Sequence, residues 1–167
     1  DALKGIFEFS DNARLDLFYG KLNESQLSDQ HHLGADNDTN IYGAYFSTQS
    51  LGGSRIGMDA YGVRWNDNSS SDFHSNWLGV RFFREAEHGW HFSAELAYQF
   101  GDYGSGSSQV DLDAWAFESF VGHTWDTPTN PGIHFGITIA TGEDHDSDDS
   151  DSFWSPAGEL HPRLGLA

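Results

Sequence analysis

Residues 77–100 alternate apolar and polar positions through two strand-length runs. In the second run Trp90, Phe92, Ala94, Leu96, Tyr98 and Phe100 share one face, and His91, Ser93, Glu95, Ala97 and Gln99 share the other. A period of two is the pattern of a strand with one apolar and one polar side. The preceding run repeats it, with Leu78, Val80 and Phe82 opposite Gly79, Arg81 and Phe83. Between the runs, Glu85-Ala86-Glu87-His88-Gly89 reads as the turn of a hairpin. A strand of about ten residues crosses a bilayer when tilted by roughly 45°. The alternation thus poses one question: whether the apolar face meets a protein core or lipid.

The same pattern extends along the chain. Candidate strands cover residues 3–9, 13–22, 41–47, 56–65, 110–125 and 133–140, which with the hairpin makes eight. Leu15, Leu17 and Tyr19 oppose Arg14, Asp16 and Phe18. Trp115, Phe117, Ser119 and Val121 oppose Ala114, Ala116 and Glu118, and Ile133, Phe135, Ile137 and Ile139 oppose His134, Gly136, Thr138 and Ala140. The run at 56–65 alternates more weakly. No segment carries a helical period.

Connections are expected to be short at 10–12, 50–54, 85–89 and 126–131, and longer at 23–39, 66–75, 101–108 and 142–152. Short turns at one end and long loops at the other are the habit of outer-membrane barrels. Trp65, Trp77, Trp90, Tyr98, Phe100 and Trp125 lie near strand ends, where aromatic girdles would place them. The competing reading is a soluble, secreted all-β sandwich that binds carbohydrate or calcium.

Composition narrows the choice. The 167 residues fit one domain spanning 1–167. Apolar content is 37%, with 15% aromatics, 19 Gly and no Cys, so neither a disulfide framework nor a thiolate metal site exists. No apolar run is long enough for a membrane-spanning helix, and the first residues lack the regions of a signal peptide. The net charge of −18 argues against nucleic acid and against anionic headgroups as partners.

The acidic run 143–151 offers hard oxygen ligands, and Asp144, Asp146 and Asp148 are weak Ca²⁺ candidates. It lacks the spaced carboxylates and glycine of a helix–loop–helix calcium site, so a hydrated, self-repelling loop fits it better. His31 and His32, beside Asp29 and Asp36, sit in a polar stretch that gives no ligand geometry. Glu95 and Glu118 face the same way as a glycosidase pair would, yet no aromatic sugar platform accompanies them. No nucleophile, phosphate-loop or zinc motif is present, so no enzyme activity and no cofactor is expected.

Several segments carry a likeness beyond pattern. Gly79-Val80-Arg81 comes first. Glu95 with Tyr98-Gln99-Phe100-Gly101 follows, and then Ala114-Trp115-Ala116 and Gly122-His123-Thr124. Thr141-Gly142-Glu143-Asp144, running on to Phe153-Trp154-Ser155-Pro156, comes last. In that order, over most of residues 55–165, they resemble the alginate export family of outer-membrane β-barrel porins. The resemblance implies an antiparallel up-and-down transmembrane barrel in a bacterial outer membrane, passing hydrophilic or charged solutes, with polysaccharide among the candidates.

It also implies more than eight strands, so this chain is expected to be part of a wall completed by further strands or a partner protein. The terminal Arg163-Leu164-Gly165-Leu166-Ala167 lacks the closing aromatic strand common in such barrels. If the apolar faces meet lipid, then Arg14, Asp16, Arg81, His91, Glu95, Gln99, Glu118 and His134 line the pore. The simpler role for Arg81 and Glu95 is a cross-strand pair that ties the wall together.

Overall fold

The computed structural model describes residues 1–23, 39–67, 73–104, 106, 109–142 and 152–153. Eight strands form: β1 (Ala2–Ser10), β2 (Ala13–Asn23), β3 (Thr39–Thr48), β4 (Gly57–Asp67), β5 (Phe73–Arg84), β6 (Gly89–Tyr103), β7 (Val110–Thr124) and β8 (Gly132–Ala140). They make one sheet in chain order, each strand antiparallel to the next. The fold is therefore all-β and up-and-down, as the alternation predicts. The contacts between strands run overwhelmingly between hydrogen-bonded neighbours, so no second sheet packs over the first. The two-sheet sandwich is not observed among the described residues.

Two connections differ from expectation. β5 starts at Phe73 and β6 runs to Tyr103, so the expected loops at 66–75 and 101–108 shrink to 68–72 and 104–109. The 49–56 link between β3 and β4 is longer than either, and the simple alternation of short and long connections does not hold. Gly101 explains why the pairing carries on through a glycine-rich stretch. It has a φ of 152° and lies directly opposite Ser75, where a Cβ would run into the backbone carbonyl of His74. Only glycine lets β5 and β6 approach this closely. The acidic run with Asp144, Asp146 and Asp148, and the His31-His32 pair, lie outside the described residues.

The burial of the two faces is inverted relative to a water-soluble protein. On the apolar face Leu78 is 52% exposed, Leu96 48% and Ile137 54%. On the polar face Glu95 is 3% exposed and Gln99 1%. Among the described residues no other layer of strands covers the polar face, and its burial is accounted for by the sheet curling around it and by side chains packing on their neighbours. The polar face is the concave one. Soluble monomers rarely expose apolar patches beyond roughly 300–600 Å². Here the exposed side chains run from Leu3 and Phe7 on β1 to Phe135 and Ile139 on β8, across the whole sheet.

The height of this apolar surface follows from β6, where it extends from Trp90 to Phe100. Ten steps of about 3.3 Å give roughly 33 Å along the strand, which a tilt of about 40° reduces to roughly 25 Å, the usual height of a barrel's lipid-facing band. Aromatics mark both margins. At the turn end, His123 packs edge-on against Trp90 and Trp125, each with a centroid separation of 4.9 Å. At the loop end stand Tyr19, Tyr42, Tyr98, Phe100 and Trp115, all exposed. Trp65 and Trp77, expected in these girdles, instead point to the polar face, and Trp77 is 1% exposed. Strand parity decides this: both align with Ser75 and Val63 rather than with Leu78.

Candidate functional site: the concave face

Opposed residues of an antiparallel pair share a face. The register therefore carries one row of side chains across the whole concave surface. It runs Glu8, Arg14, Ser47, Asp59, Arg81, Glu95, Glu118 and Thr138, one from each strand in order. The next row, towards the loops, holds Asp16, Tyr45, Tyr61, Gly79, Ala97, Ala116 and Ala140. Towards the turns lie His91, Gly122 and His134. The structure thus brings Arg14, Asp16, Arg81, His91, Glu95, Gln99, Glu118 and His134 onto a single face.

Charge in the first row is closely tied down. The Arg81 guanidinium lies between Asp59 on β4 and Glu95 on β6, the partner expected from sequence. It donates through Nε to Asp59 Oδ2 at 2.8 Å, and Nη2 approaches the same oxygen at 2.5 Å. Glu95 accepts a hydrogen bond from the Tyr61 hydroxyl at 2.9 Å. Gly79, between them, makes the room, since a Cβ there would strike the Tyr61 ring. Tyr61 in turn stacks on Tyr45, centroids 6.2 Å apart and planes 5° from parallel. Asp16 holds two cations, Lys4 Nζ at 2.8 Å and Arg14 at 2.5 Å. Buried charges persist only when paired and hydrogen-bonded in this way.

The two histidines meet over Gly122. His91 Nε2 and His134 Nδ1 are 3.2 Å apart, and a Cβ on Gly122 would meet both rings. Gln99 donates to Ser75 Oγ at 3.1 Å and is fully buried. Among the described residues no cluster of three or more His, Asp or Glu has the geometry to hold a metal ion.

Sequence reasoning missed Asp59, Tyr45 and Tyr61, because alternation in β4 is disguised. There the concave side carries the large residues Tyr61, Val63 and Trp65, while the convex side carries Met58, Ala60 and Gly62. Size, rather than polarity, alternates. A second missed feature is an aromatic cluster at the loop end of the concave face. Tyr61, Val63 and Trp77 form its centre, with Phe18, Ile41, Tyr45, Trp65, Phe73 and Phe153 around it. Phe153, from beyond β8, donates its backbone N–H to Thr141 and packs into this cluster. The signal available for the strand residues was parity with Glu95 and Asp16.

The order of these features along the chain can be compared with known proteins. The alginate export model matches residues 13–155, from β2 through the segment that carries Phe153. The chain belongs to the alginate export family. That family is one of outer-membrane channels rather than of enzymes. No curated protein matches the chain.

Proposed function

We propose that this chain forms wall of a water-filled, porin-type channel in a bacterial outer membrane, through which hydrophilic solutes pass without chemical change. The observation that carries the reading is the inverted burial: Leu96 and Ile137 open to the surroundings, Glu95 and Gln99 enclosed. In hydrocarbon every backbone polar group must find a partner within the protein, which closed barrels achieve with strands. β1 and β8 do not pair with each other among the described residues, so both edges stay open. Further strands of the same barrel, or a partner protein, would complete the ring. In this arrangement the convex face meets lipid, and Arg14, Asp16, Arg81, His91, Glu95, Gln99, Glu118 and His134 face the lumen. Sorting is by bore and wall charge, with no cofactor needed.

Planar-bilayer recording tests this. Purified protein, added to a lipid bilayer in salt solution, should produce stepwise increases in conductance. Stable insertion without any conductance step would contradict the channel.

A further inference from the structure

We infer that His91 and His134 form an exchangeable binding site for a divalent transition-metal ion, on the concave face near its turn end. The site depends on the register and side-chain geometry of β6 to β8, and stands whether or not the wall conducts. His91 on β6 and His134 on β8 both lie opposite Gly122 on β7, so the two imidazoles flank a single residue. His91 Nε2 and His134 Nδ1 are 3.2 Å apart, with ring centroids 5.0 Å apart and ring planes at 45°. Nitrogens at that spacing, each about 2.0–2.1 Å from one ion, subtend roughly 100–105° at it, close to the tetrahedral angle. Without an ion, one of the two nitrogens donates its N–H to the other. Coordination by both needs only that this proton move to the far nitrogen of its ring.

Gly122 is what lets the rings meet. A Cβ there would run into His91 Nε2 and His134 Nδ1, the same two atoms. Gly89, Thr124 and Gly132 form the row towards the turns, and Ser93, Phe120 and Gly136 the row towards the loops. Apart from Phe120 these side chains are small, which leaves the remaining coordination positions open to water. Among the described residues no third His, Asp or Glu joins the pair. His91 Nδ1 is buried without a hydrogen-bond partner, so this ring lacks the brace that strengthens a ligating histidine. Two ligands, one of them unbraced, make the ion exchangeable rather than structural. Imidazole pairs suit Zn²⁺, Ni²⁺ and Cu²⁺, and of these Cu²⁺ binds most tightly.

The test is titration of the full-length protein in detergent micelles with Cu²⁺, followed by electron paramagnetic resonance and by counting bound copper. The chain holds nine His, so the site is read by difference. The native protein should bind copper with hyperfine splitting from two imidazole nitrogens. His91→Asn and His134→Asn should each remove that signal and one Cu²⁺ per chain, with strand content by circular dichroism unchanged. Gly122→Ala keeps both ligands and parts them, and should weaken this copper by about tenfold or more, as loss of ligand positioning does. A native protein without a two-nitrogen copper signal overturns the proposal without any variant. So does a signal that survives either histidine substitution.

Discussion

At the scale of residues, the account rests on neighbours that differ only in the face they present. Ile137 and Thr138 are adjacent on β8 and both exposed. Placed in hydrocarbon, an arginine near the bilayer midplane costs about 2–4 kcal/mol. Ile137→Arg should therefore lower the stability of the bilayer-inserted protein by about that amount, whereas Thr138→Arg should change it by less than about 1 kcal/mol. Urea unfolding from lipid vesicles measures both. Equal losses at the two positions would contradict the assignment of faces. Parity made the eight concave-face candidates legible in the sequence, because each sits in a strand whose opposite face is plainly apolar. Asp59 and Tyr61 were not legible, since the middle of β4 puts Tyr61 and Val63 on the concave side and only Ala60 and Gly62 outside. Trp77 misled for a related reason: an aromatic near a strand end looks the same whether it anchors at an interface or packs inward.

At the scale of elements, the existence and order of all eight strands could be read from alternation, but their ends could not. Polar residues such as His74, Asn76 and Asp102 continue β5 and β6 beyond the apolar band and resemble a loop in composition. What extends the ladder there is backbone proximity at Gly101, a property that hydropathy does not record. Gly101→Val introduces a side chain where the His74 carbonyl lies. Overpacking of this kind costs typically about 1–3 kcal/mol, and it should act locally. Hydrogen exchange should show lost protection at Phe73 and Ser75, which pair around Gly101, with protection at Val80 and Leu96 retained. Retained protection at Phe73 and Ser75 would mean that a side chain fits there after all. The turn-end pairing has its own local device in Gly89, whose φ of 87° opens β6 at the close of the hairpin turn.

At the scale of the whole molecule, one sheet with two unlike surfaces replaces the buried core of a soluble domain. Its convex side is apolar from β1 to β8, and its concave side carries a connected set of ion pairs, tyrosines and histidines. The chain belongs to the alginate export family, a family of outer-membrane channels. Mean hydropathy of −0.55 conceals the apolar convex surface, because averaging over both faces of each strand cancels them.

The most direct test asks which solvent each face touches. The chain contains no cysteine, so single cysteines can be introduced along β8 at positions 133–140 without background and labelled with a nitroxide. Collisions with oxygen report hydrocarbon, and collisions with a water-soluble nickel chelate report water. The account gives high oxygen accessibility at 133, 135, 137 and 139 and high nickel accessibility at 134, 136, 138 and 140. The reverse alternation, or nickel accessibility at every position, would contradict it.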